Sequence, residues 1–137
     1  MTITETAMAF FDACETGKGW ETCRHYCQED ARFTCQADAL AEISTVEDYT
    51  GWTAGILTPI PDGHYELKSF STDHERSIVV ATSVFRGTQT GEGGPIPPTG
   101  RTVAAEYAYV MEFQGDRIAR MTKIWDDVHS LKQLGGA

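Results

Sequence analysis

The chain has 137 residues, enough for one domain and one modest cavity, and its 41% hydrophobic content is that of a folded globular protein. A formal net charge of -9, without any cluster of Lys and Arg, excludes the usual nucleic-acid binder, which holds phosphates through grouped cations. No apolar run reaches membrane-spanning length, and the amino terminus is acidic and amphipathic rather than signal-like, so a cytoplasmic protein with no membrane partner is expected.

The first element is a helix. Ala7, Phe10, Phe11 and Cys14 recur at helical spacing, Thr2 and Glu5 stand three apart as in a capping box, and Gly17 supplies the stop. A short second helix follows, with Trp20, Cys23 and Cys27 on its inner side. In ARFTCQA, Phe33, Cys35 and Ala37 alternate with Arg32, Thr34 and Gln36 in the manner of a strand. A third helix begins at Ser44 or Thr45, carries Val46, Tyr49, Trp52 or Thr53, and Ile56 on one side, and stops in the turn around Pro59 to Gly63.

From His64 onward the pattern is that of strands. HYELKSFST and SIVVATSVFRGTQT are joined by the polar turn DHER, and RTVAAEYAYVMEF and RIARMTKIW by the tight turn QGD. Between the two pairs lies GEGGPIPPTG. It lacks the lysine of a phosphate-binding loop and leads into a strand, so it reads as a surface connection or the cover of a pocket mouth. A closing helix has Val128, Leu131 and Leu134 inward and Gly135 as its stop. Helices followed by grouped strands indicate α+β architecture with a largely antiparallel sheet, in a single domain spanning 1–137. Apolar residues on both faces of SIVVATSVF and AYVMEF require cover on both faces, for which a second copy in a two-fold homodimer is expected.

Cys14, Cys23, Cys27 and Cys35 are read as reduced, buried apolar residues. The histidines are scattered and neither CxxC nor HExxH occurs, so no metal site is expected. Two acids stand out. Asp126 in IWDDVHSLKQLG lies where a strand gives way to a helix, as a helix cap or as a carboxylate at a pocket rim. Glu106 lies in mid-strand among alanines and tyrosines. It is a pocket candidate, although alternation puts it opposite Tyr107 and Tyr109, and the outer face of the sheet is its other possible place.

The element order, together with PPTGRTV, the GDRI hairpin and the ending D-x-x-x-S-L-K-Q-L-G from Asp126 to Gly135, resembles the SnoaL-like polyketide cyclases and ester cyclases of the nuclear transport factor 2-like superfamily. The resemblance implies a cone, in which amino-terminal helices close a strongly curved sheet over an apolar cavity suited to a small hydrophobic molecule. Tyr49 and Trp52 from the helices, Phe33, Tyr107 and Tyr109 from the strands, and Trp125 with Glu106 are the candidate lining. It further implies that an acidic residue late in the sheet is a general base that removes a proton beside a carbonyl, so that the enolate closes a ring by aldol addition. Asp126 occupies the matching position, and no metal or organic cofactor is implied. A carboxylate in an apolar pocket is a stronger base than one in water. Many relatives carry a further carboxylate three residues earlier, where this chain has Lys123. The bases of ketosteroid isomerases fall near Cys35, and the Arg-x-Asp pair of limonene-epoxide hydrolases has no counterpart in RTVAAEYAY. A non-catalytic ligand-binding or assembly module, and a dehydratase or isomerase, are the alternative functions.

Overall fold

One five-stranded sheet and the helices laid on one of its faces make up the computed structural model, which describes residues 1–136. The elements run α1 (Ile3–Glu15), α2 (Gly19–Cys23), β1 (Cys27–Cys35), α3 (Val46–Ile56), β2 (His64–Asp73), β3 (Ile78–Thr88), β4 (Thr102–Gln114), β5 (Arg117–Trp125) and α4 (Asp127–Gln133). Strands β2 to β5 form an antiparallel meander, and β1 joins its far edge parallel to β5, in the order β1-β5-β4-β3-β2. Only β1 needs a long return, and α3 with its flanking turns supplies it.

Local chemistry explains the helix ends. Thr2 and Glu5 form the reciprocal capping box, which satisfies two free amides at the start of α1. Gly17 ends the helix at φ 77°, a left-handed conformation that glycine adopts without a steric penalty. Thr45 caps α3 by accepting from the Asp48 amide. The second helix is shorter than its apolar spacing suggested. It ends at Cys23, a single 3-10 turn follows, and Cys27 is already extended as the first residue of β1.

Each strand divides cleanly between two faces. On β4, Val103, Ala105, Tyr107, Tyr109, Met111 and Phe113 are buried beneath the helices, while Ala104, Glu106, Ala108 and Val110 point the other way. The inner face of β5 carries Met121, Lys123 and Trp125. Phe10, Phe11, Tyr49, Tyr109, Met111 and Met121 are completely buried between α1, α3 and the sheet. The phenol of Tyr49 stacks on Phe33 at 4.4 Å between ring centroids. The space read from the sequence as a modest apolar cavity is thus occupied in large part by rings, because Phe10, Phe11, Tyr49 and Tyr109 converge there at full side-chain length.

A second, smaller cluster consists of Ile60, Val103, Ala105 and Leu134, with Ile56, Phe85, Ile96 and Trp125 around it at the end of the sheet where β4 begins. The loop after β3 is seated on this end. Gln89 is buried and donates to the Ile96 carbonyl, the Gly91 amide donates to the Pro59 carbonyl, and a Cβ on Gly91 would stand 2.1 Å from the Thr58 carbonyl oxygen. The closing helix differs from expectation in one respect. Val128 is 47% exposed, and Ser130 takes the inward place because its hydroxyl receives the Trp125 indole N–H. Among the described residues no helix is long and apolar enough to cross a membrane.

Candidate functional site

At the carboxyl end of α1 the helix delivers Glu15 into the interior, only 5% exposed. The reason is helical periodicity: Ala7, Phe11 and Glu15 are four apart and share one face. Burying a carboxylate is costly unless its lone pairs find donors. Two phenols from β4 provide them. Tyr107 donates to Oε1 and Tyr109 to Oε2. These tyrosines are two residues apart on one strand, so their side chains project side by side toward α1.

The network extends one layer further. Tyr49 on α3 lies 2.8 Å, oxygen to oxygen, from Tyr109, and the Cys14 sulfur lies 3.7 Å from the same hydroxyl. Since the Tyr109 proton is given to Glu15, its oxygen accepts from Tyr49, which sets the direction of the chain: Tyr49 to Tyr109 to Glu15. Burial, followed by the charge of Glu15, pushes the Tyr107 and Tyr49 phenols well above their ordinary range. For Tyr109, burial leads and the Cys14 and Glu15 charges add to it. All three therefore stay neutral and remain donors throughout the physiological range.

Lys123 completes the site from β5. It is 8% exposed, and its Nζ lies within four aromatic faces: 4.6 Å from the Trp125 ring centroid, 5.1 Å from Trp52, and 5.2 Å from both Tyr49 and Tyr107. Desolvation lowers its pKa, and the negative charge of Glu15 acts in the opposite sense. Nζ has neither a hydrogen bond nor an ion pair among the described residues; the salt bridges there are surface pairs. Trp125 and Trp52 pack edge to face with ring centroids 5.8 Å apart, and Ser130 fixes the Trp125 indole.

The residues expected from the sequence separate into two groups. Phe33, Tyr49, Trp52, Tyr107, Tyr109 and Trp125 all belong to the inner cluster. Asp126 and Glu106 do not. Asp126 is exposed, and its Oδ1 accepts from the His129 amide at 3.0 Å as the cap of α4. Asp127 reaches across to accept from the Ala39 amide at 2.9 Å. Glu106 is exposed on the outer face and paired with Lys68, whose hydrogen bond and charge lower its pKa and make it a weaker base. The outer-face placement follows from alternation, which sends Glu106 away from Tyr107 and Tyr109. These two acids line a shallow, open groove of about 500 Å³ with Lys68 and Ile124. The groove is open to solvent, whereas the interior holds the desolvated polar groups, and desolvation is what strengthens acid and base chemistry.

Glu15 and Lys123 carry the polar chemistry of the interior, and both had a signal in the sequence. Glu15 continues the apolar stripe of α1 by one further turn. Lys123 occupies the apolar phase of β5, between Met121 and Trp125. A charged residue in phase with a buried stripe is the pattern that betrays an interior ion.

The profile of the family described as SnoaL-like polyketide cyclase matches residues 5–134. The chain belongs to the SnoaL-like polyketide cyclase family. Solved structures agree. A candidate SnoaL-like polyketide cyclase from Jannaschia sp. CCS1 superposes with a TM-score of 0.79 at 16% identity, covering 98% of this chain and 92% of that one. IdmH, a candidate polyketide cyclase from Streptomyces antibioticus, gives 0.77 at 25% identity over 98% and 99% of the two chains. A protein of ketosteroid isomerase-like fold from Catenulispora acidiphila, in complex with trimethylamine, gives 0.69 at 18% identity over 97% and 94%. No match is found among curated protein sequences. The α+β, nuclear transport factor 2-like architecture expected from the sequence is therefore that of the chain, with β1 and β2 as open sheet edges rather than a closed barrel.

Proposed function

We propose that this member of the family is a cofactor-independent cyclase acting on a small hydrophobic carbonyl compound, with Glu15 as the general base. The aromatic lining supplied by Trp52, Tyr107 and Trp125 favours flat, weakly polar molecules. Glu15 removes a proton from the carbon beside a carbonyl. On gaining that proton the carboxyl group holds Tyr107 less strongly, which frees the phenol to donate to the developing enolate oxygen. The enolate carbon then adds to a second carbonyl of the same molecule and closes the ring.

The observation that carries this reading is the burial of Glu15 against two phenols that remain neutral donors. Proton abstraction is read directly by hydrogen–deuterium exchange. A hydrophobic diketone able to close a six-membered ring is incubated with the protein in D2O, and exchange and cyclisation are followed by NMR. Wild-type protein accelerates both. Glu15→Gln loses roughly a hundredfold or more, the usual scale of a general base. Asp126→Asn, the other carboxylate candidate, is assayed beside it. Retained activity in the Glu15 variant and its loss in the Asp126 variant would move the base to Asp126.

A second reading, a non-catalytic binding module, draws on the tight ring packing around Tyr49 and Tyr109. It is distinguished by a diketone that raises the melting temperature without any exchange above background.

A further inference from the structure

We propose that Lys123 is a positioning residue of this site: a fixed interior cation that acts through the rings of Tyr49 and Tyr107 to strengthen the hydroxyl donors of the Glu15 network. Its effect on rate rests on the cyclase reading; its hold on the phenols does not. Glu15 and Lys123 are the only charged side chains buried among the described residues, and they have opposite signs. No ion pair joins them. What lies between them is phenol. Tyr107 turns its ring face to Nζ at 5.2 Å and donates its hydroxyl to Glu15. Tyr49 turns its face to Nζ at 5.2 Å and gives its hydroxyl to Tyr109, which in turn donates to Glu15. Strand register holds the lysine there, since Lys123 is the cross-strand partner of Tyr109 on β4 and of Cys35 on β1.

A cation on the face of an aromatic ring is attracted by the π electrons. In return it draws electron density from the ring and from the phenolic oxygen, which leaves the O–H more polarised and a stronger donor. Bonds further along the chain are strengthened in the same sense. Packing does not require the charge, because an apolar chain of equal length would fill the same space, and burial disfavours the cation and lowers its pKa. What the charge adds is a field on the two phenols. In the proposed reaction that field favours Tyr107 as donor to the enolate oxygen. The titratable groups around Nζ are Tyr49 of α3, Tyr107 and Tyr109 of β4, Glu15 and Cys14 of α1, and Cys35 of β1. Burial pushes the three phenols well up and Lys123 down, so Lys123 loses its proton before any of them.

The test is an NMR titration of wild-type protein carrying carbon-13 at the tyrosine Cζ and the lysine Cε, from neutral pH to about pH 11. As the Lys123 signal passes through its own inflection, the Tyr49 and Tyr107 signals should move in step with it while both phenols are still protonated. Lys123→Met should show no such step. Because the wild-type protein gives the step by itself, the result stands even where the variant folds poorly. Tyrosine signals that stay still while Lys123 titrates, or a Lys123 already without its proton at neutral pH, overturn the proposal. In the deuterium-exchange assay with the hydrophobic diketone, the wild-type rate should fall as pH rises through the Lys123 inflection. Lys123→Met should be about tenfold slower at neutral pH, with KM little changed, and should lack that fall; one charge about 10 Å away at an effective dielectric of about 20 has an effect of this size. Lys123→Arg should recover the rate and also lack the fall, since a guanidinium keeps its proton. The two readings fail separately. Exchange that is unchanged in Lys123→Met leaves Glu15 as base and removes Lys123 from the reaction, whereas the tyrosine step without any exchange sustains the cation's hold on the phenols and removes the cyclase reading.

Discussion

Removing a single oxygen tests the buried network most sharply. In Tyr109→Phe the ring keeps its volume and its packing against Phe11 and Tyr49, so the change is confined to hydrogen bonding. Two bonds are lost. Glu15 Oε2 loses its donor, and a hydrogen bond to a charged group contributes about 1.5–3 kcal/mol. Tyr49, fully buried, loses the acceptor that lies 2.8 Å away, which costs about 1 kcal/mol more. The sum is about 3 kcal/mol, and for a chain of this length about 3 °C of melting temperature accompanies each kcal/mol, so a fall of about 9 °C is expected. Tyr107→Phe breaks only its bond to Glu15, and the loss should be smaller. Urea unfolding and calorimetry of Tyr109→Phe, Glu15→Gln and the double variant form a double-mutant cycle. A coupling of at least about 1 kcal/mol is expected between groups in direct contact. If Tyr109→Phe loses less than about 1 kcal/mol, or if the two changes are additive, Glu15 is not held by the phenols and the site as described is incorrect.

Lys123→Met removes a buried cation while keeping an apolar chain of similar length. Because the folded-state pKa of Lys123 is lowered, the unfolded chain binds more protons between that value and the ordinary value of about 10.4, so the lysine makes stability rise with pH in this window. The variant should be more stable than wild type near neutral pH and should lack that rise, as read by urea melts from neutrality to about pH 10. Tyr65 has the opposite sign. Burial first, and then its bond to Asp12, raises its pKa to about 12, so its stabilisation is complete below the ordinary phenol value and fades as pH climbs through about 12. Tyr65→Phe should flatten the stability curve in that alkaline range. Asp126→Ala should lose about 1 kcal/mol and Asp126→Asn almost none, since asparagine caps about as well as aspartate. We further propose that the outer face of the sheet, where Ile124 is 60% exposed, is covered by a second copy of the chain. Light scattering should give the mass of a dimer, and Ile124→Glu should give a monomer.

The elements were legible because their signals are local. The capping box at Thr2 and Glu5, the stop at Gly17, the cap at Thr45 and the glycine of the QGD turn all act within four residues of chain. Strand alternation set Glu106 opposite Tyr107 and Tyr109, although all three stood together in the expected pocket lining, and the structure puts the two tyrosines inside and Glu106 on the outer face. The end of α2 was harder to read, since Cys27 fits a helical stripe and a strand equally well by spacing. Charge was the less readable part of the site. A carboxylate at the meeting of a strand and a helix, such as Asp126, looks the same in sequence whether it caps or catalyses. Only the tertiary structure turns it to the His129 amide and out to water. Conversely, Glu15 and Lys123 are separated by more than one hundred positions and belong to different elements. Periodicity puts each on an inner face, but it cannot say that two phenols from β4 will satisfy the one or that four rings from α3, β4 and β5 will enclose the other. That depends on the sheet curling β4 and β5 against α1 and α3, so that side chains far apart in the chain desolvate one another.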